Sequence, residues 1–143
     1  MNKNDLILRY SLLACTAYFL VMAAAHVTGF KVPVLFVYFD VPSHQYQDTI
    51  ISFCCVGWAG FSYAAANNRG TLAPFLLAFS GVVIGLSYIN LTTDFQTLKS
   101  GLTTTPYWIQ TGILSGLVVW LFAFYRLTGN DKQQPPVITE EQI

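Results

Sequence analysis

Asp40, His44 and Asp48 follow one another at four-residue spacing. On a helix, residues four apart are offset by about 40° and share a face. A carboxylate beside an imidazole can ligate a divalent metal or relay a proton. Pro42 interrupts any helix through Asp40, because its ring clashes with the preceding turn and it has no N–H to donate. That leaves His44 and Asp48 as the credible pair, with Asp94 a third acid on the same side of the chain. A non-chemical reading competes and is preferred: Asp48, in a first turn, complements the positive end of a helix, and His44 is a solvated loop residue.

His26 is the only histidine inside a long apolar stretch. It could pack while hydrogen-bonded to Asn90 or Gln110, or meet His44 to hold haem or copper. Bis-histidine haem needs both imidazoles on facing helices, and His44 falls in a loop, so no cofactor is assigned and His26 is kept as a hydrogen-bonded packing residue. Cys15, Cys54 and Cys55 form neither a C-x-x-C pair nor a zinc spacing. They read as small apolar residues. Cys15 falls in the opposite half of the membrane from the other two, which separates it from them by more than a disulfide spans. Phosphate-cradling glycines, H-E-x-x-H and a nucleophile motif are all missing, and Asn90-Leu91-Thr92 matches a glycosylation acceptor only at a membrane edge.

The elements that must position these residues are membrane helices. Hydrophobic residues make up 54% of the chain and charged residues 10%, with mean hydropathy +0.50. Soluble domains carry roughly 25% charged residues, so this surface is suited to lipid. Formal net charge is zero, which gives no footprint for nucleic acid. A helix needs about 20 apolar residues to cross the hydrocarbon. Four stretches meet that need, at about 10–30, 49–66, 71–93 and 107–128. The expected fold is an all-α four-helix transmembrane bundle within 1–128, followed by a disordered polar tail over 129–143.

Between the first two spans, Val32–Val41 is apolar but too short to cross. Phe36, Tyr38 and Phe39 suit the headgroup level, and Ser43 is placed as the cap of the second helix. Asn67-Asn68-Arg69-Gly70 makes a tight turn, and Pro74 is expected in the first turn of the third span. Ala23-Ala24-Ala25 imitates a signal-peptidase site, yet the apolar run continues through Val27 and Phe30, so the first span is read as retained. Lys3, Arg9, Arg69, Arg126 and Lys132 fall on one side, Lys31 and Lys99 on the other. Cytoplasmic loops carry the excess of Lys and Arg, so both termini are expected in the cytoplasm, in a bacterial inner (plasma) membrane. Gly60-x-x-x-Ala64, Gly81-x-x-x-Gly85 and Gly112-x-x-x-Gly116 are read mainly as close-packing faces inside the bundle.

None of the spans carries an acid, Lys or Arg near its centre, which argues against a proton-coupled transporter. The first functional expectation is an accessory, assembly or stabilising subunit whose partners are the bilayer and other membrane subunits or a second copy, leaning away from an enzyme. The second is a membrane enzyme acting on a lipid or quinone at the outer interface through His44, Asp48 and Asp94. The third is a carrier for a small solute that uses Asn90 and Gln110. Convergence of His26, His44, Asp48 and Asn90 on a cavity favours the second expectation, and dispersal favours the first.

Overall fold

A computed structural model describes residues 3–30, 32–33 and 40–130, excluding the Asn130 side chain. The described residues are helical, without strands: α1 (Lys3–Thr28), α2 (Gln45–Asn67), α3 (Arg69–Thr92), a single turn α4 (Phe95–Leu98), and α5 (Thr105–Asn130). Apart from α4, each helix is long and apolar enough to cross a bilayer. Large side chains point outward along them, with Leu77 78% and Val119 68% exposed. That outward face is apolar because its solvent is hydrocarbon. Phe36, Tyr38, Phe39 and residues 131–143 of the expected tail lie outside the described residues. Gly129 and Asn130 continue α5 rather than opening the tail.

The helices form a closed ring of four seams, α1–α2, α2–α3, α3–α5 and α5–α1, of which α1–α2 is the most extensive. Only Asn68 separates α2 from α3. Its N–H caps α2 through the Ala64 carbonyl at 2.8 Å, and its side chain accepts from the Gly70 N–H that opens α3. One side chain therefore serves two helix ends and forces them antiparallel. Because α3 already begins at Arg69, Pro74 lies in its second turn. The proline removes the N–H that the Gly70 carbonyl would otherwise accept. The cost falls at the polar helix entrance rather than at bilayer depth.

The core fills the half of the bundle that carries the chain termini. Leu8, Leu12 and Cys15 of α1 meet Ala65 of α2, Phe75 of α3 and Leu121 of α5. Aromatic rings thicken the centre: Phe75 and Phe61 meet edge-on at 5.4 Å, and Trp58 lies 5.9 Å from both Phe19 and Phe79. Polar pairs stitch the seams where lipid offers no competing hydrogen bond. Thr16 and Ser62 hydroxyls lie 3.0 Å apart between α1 and α2. Asn90 Nδ2 donates to Thr111 Oγ1 between α3 and α5 at 3.0 Å. Trp120 Nε1 donates to Ser11 Oγ between α5 and α1 at 3.1 Å.

The glycine faces depart from expectation. Gly60, Gly81, Gly85, Gly112 and Gly116 are all exposed, and a Cβ built on any of them would meet nothing within 4 Å. They do not bring helices together inside the ring. The close seams are made instead by Ala23, Ala25, Ala59 and Ala65, which are buried.

Candidate functional site

The last turn of α1 and the first turns of α2 meet at the end of the bundle opposite the termini. Gly29 sets where α1 stops. Its φ of 72° lies in the left-handed region, which glycine enters without steric cost. The Phe30 N–H then reaches back to the Ala25 carbonyl at 3.0 Å, closing the helix with a Schellman-type bond. His26 is left in the final turn. On the partner helix, His44 is the N-cap residue: its carbonyl accepts from Gln47 N–H at 2.9 Å and Asp48 N–H at 3.1 Å, and its own N–H donates to Gln47 Oε1 at 2.9 Å. The cap therefore falls one residue after Ser43, which was expected to fill it.

These two helix ends bring His26 and Asp48 together. His26 Nδ1 lies 3.0 Å from Asp48 Oδ1, and the Ser43 hydroxyl donates to Asp48 Oδ2 at 2.8 Å. The side chains of the pair are only 10% and 12% exposed. A carboxylate at a helix N-terminus and an imidazole at a helix C-terminus each sit at the favourable end of a macrodipole, so the two helices supply part of the field that holds the pair. With its hydroxyl turned onto the second oxygen, exposed Ser43 extends the pair into a three-residue network at the end of the α1–α2 seam.

A cavity of about 280 Å³ runs from His26 toward the middle of the bundle, walled by all four long helices. His26 lies at its outer end, and Phe19, Trp58 and Phe79 line the aromatic inner end. Tyr18, Met22 and Cys55 line its flanks. The space is thus apolar over most of its length and polar at one end. Such a shape fits a molecule that is mostly hydrocarbon and carries one hydrogen-bonding group. Flat aromatic walls also favour a planar ring, through offset or edge-on contact.

Of the residues singled out in the sequence, only His26 and Asp48 meet here. His44 is exposed, and its ring stacks near Tyr46 with centroids 6.5 Å apart. Asp40 sits in a turn outside any helix and faces Lys99, 3.9 Å away on the surface, so the four-residue series is not a helical face. Asp94 caps α4 by accepting from the Gln96 N–H at 3.1 Å. Asn90 and Gln110 are buried, with Asn90 bonded to Thr111 across the α3–α5 seam instead of to His26. Among the described residues no group of three or more histidine, cysteine, aspartate or glutamate side chains is arranged to hold a metal.

Cys15, Cys54 and Cys55 are free thiols. Sequence reasoning missed the cavity position of Cys55 and the link from Ser43 to Asp48. A signal for the central pair was nevertheless present: His26 lies near the end of the first apolar span and Asp48 immediately precedes the second, which puts both toward one membrane face. No family model, curated protein or solved structure matches the chain significantly.

Proposed function

We propose that this small integral membrane protein binds a lipophilic molecule in its central cavity, with the molecule's polar group held at His26 and its apolar body among Phe19, Trp58 and Phe79. The observation that carries this reading is His26, nearly buried and bonded to Asp48, at one end of an otherwise apolar space. His26 lines that space with Asp48 bonded to it at 3.0 Å, and an ionisable residue that lines a cavity in a membrane bundle marks a functional site. A bare stabilising bundle has no need of that arrangement. The ligand class is the lipid or quinone class expected at the outer interface, and the positioning pair is His26 and Asp48 in place of His44 and Asp94.

Binding of a benzoquinone probe to protein-loaded nanodiscs, corrected for uptake by empty nanodiscs, tests the reading. The wild type is expected to bind above the lipid background, and His26→Leu to lose at least about tenfold in affinity, the equivalent of one or two hydrogen bonds to the head. Equal binding by wild type and His26→Leu would refute it.

A second reading rests on the outward glycines. Gly81 and Gly85 on α3, and Gly112 and Gly116 on α5, leave bare backbone toward the lipid, where a helix of another subunit or a second copy could approach closely. In this reading the chain is an accessory or stabilising subunit, and its cavity serves the larger assembly. Purification in mild detergent at native expression tests it: a lone monomer would count against it. For both readings we place the end bearing Arg9, Arg69 and Arg126 in the cytoplasm of a bacterial inner membrane, after the bias of basic residues. Single-cysteine labelling that puts the two termini on different faces would overturn that placement.

A further inference from the structure

Arg9 and Arg69 line one cavity, of about 260 Å³, at the end of the bundle that carries the termini. Their places in the chain put both at the membrane boundary. An uncharged apolar run starts at Tyr10, directly after Arg9, and another follows Arg69 as far as Thr93. The floor of the cavity is apolar, made by buried Leu8, Leu12 and Leu72.

Each guanidinium is held by protein groups. Arg9 Nη2 donates to Asn67 Oδ1 at 3.3 Å, and Asn67 Nδ2 is tied back to the Tyr63 carbonyl at 2.8 Å. Arg69 Nη2 donates to the Tyr125 carbonyl at 3.2 Å, and its guanidinium lies 5.5 Å from the centroid of that tyrosine ring. Asp5 Oδ1 stands 3.6 Å from Arg69 Nη1. Two arginines against one aspartate leave the cavity lining with a formal excess of positive charge. A guanidinium carries several N–H donors in a fixed fork. Among the described residues Arg9 bonds Asn67 alone, which orients the fork without filling it. The Arg69 side chain keeps 35% of its surface exposed, so the cavity is open to the boundary.

We infer that this cavity takes the phosphate of an anionic phospholipid, at a site separate from the cavity at His26. Forked guanidiniums from α1 and α3 match the oxygens of a phosphate. Phospholipid phosphates are the anions concentrated at this depth, and basic pockets between membrane helices bind such head groups. The leucine floor takes the glycerol carbons beneath the phosphate. The cavity is smaller than the roughly 300 Å³ at which drug-sized sites begin, so it holds a head group and leaves the acyl chains in the bilayer.

Native mass spectrometry of the full chain tests this, from micelles holding equal amounts of phosphatidylglycerol and phosphatidylcholine. The wild type is expected to retain phosphatidylglycerol in preference. Arg9→Gln and Arg69→Gln should each lower that preference about fivefold, the scale of a partly exposed charge-assisted bond. Arg126→Gln removes an exposed arginine at the same end but outside the cavity, and should change it less than about twofold. Circular dichroism and gel filtration select variants that keep the wild-type fold; Arg9→Gln carries the test if Arg69→Gln, which also loses its bond to α5, does not. An equal loss in Arg126→Gln would mean diffuse attraction to basic residues and overturn the site, as would a wild type without preference. A preference that appears only in the Glu140→Gln, Glu141→Gln double variant would give the cavity to the chain's own acidic tail and overturn the lipid. So would thermal stabilisation of lipid-free wild type, but not of Arg9→Gln, by millimolar inorganic phosphate, which would assign the site to a soluble phosphate.

Discussion

Removing the His26–Asp48 pair one member at a time and then together gives a test with a magnitude. Asp48 Oδ1 faces His26 Nδ1 at 3.0 Å and Oδ2 accepts from Ser43 at 2.8 Å, with both side chains nearly excluded from solvent. Asp48→Leu removes the carboxylate that the His26 imidazole and the Ser43 hydroxyl both bond. His26→Leu removes the imidazole bonded to the Asp48 carboxylate. In soluble proteins, breaking a buried pair in this way costs about 3–5 kcal/mol. Between membrane helices, polar contacts measured by double-mutant cycles are weaker, about 0.6 kcal/mol on average and at most about 1.7. The pair here lies near the membrane boundary, where water competes, which argues for the lower scale. Each single change should therefore cost about 1–2 kcal/mol. The double Leu variant removes both polar side chains and should cost less than the sum, giving a coupling of about 1 kcal/mol. Reversible unfolding in mixed micelles with rising SDS, followed by far-UV circular dichroism, reads all four corners of the cycle. A coupling below about 0.3 kcal/mol, the usual error of additivity, would refute the claim that these side chains act on one another.

Two further outcomes follow from the same geometry. Gly29→Ala forces a Cβ into a left-handed residue at the α1 terminus, so it should cost about 1 kcal/mol and shift His26. Its effect on quinone affinity should exceed that of Ala24→Gly one turn earlier, and equal effects would argue against Gly29 as the positioning residue. Phe75→Ala removes a fully buried ring from the aromatic centre and should lower stability by about 3 kcal/mol in the same unfolding assay; a loss under about 1 kcal/mol would mean that the centre is loosely packed.

The four long helices were legible because uncharged apolar runs of spanning length are a strong signal, and turns such as Asn68 punctuate them sharply. The site was legible only as separate parts. His26 and Asp48 both stand out as ionisable residues at the edge of apolar spans, yet their pairing depends on the antiparallel register of α1 against α2, which Thr16–Ser62 and Arg9–Asn67 share further along the seam. No local pattern encodes that register. The four-residue spacing of Asp40, His44 and Asp48 was misleading for a related reason: the helix begins at Gln45, so spacing across its start carries no helical phase. Glycine patterns misled because the same small-residue motif serves inward and outward faces, and only the positions of neighbouring helices distinguish them.

Photolabelling addresses occupancy of the cavity directly. A photoreactive benzoquinone with a hydrocarbon tail is added to native membranes, irradiated, and the labelled peptides of this chain are sequenced. The account predicts label concentrated on Tyr18–His26 and Ile51–Trp58, competed by unlabelled quinone and lost in His26→Leu. Label spread over outward residues such as Leu77, Ile84 and Val119, and insensitive to competitor, would contradict it.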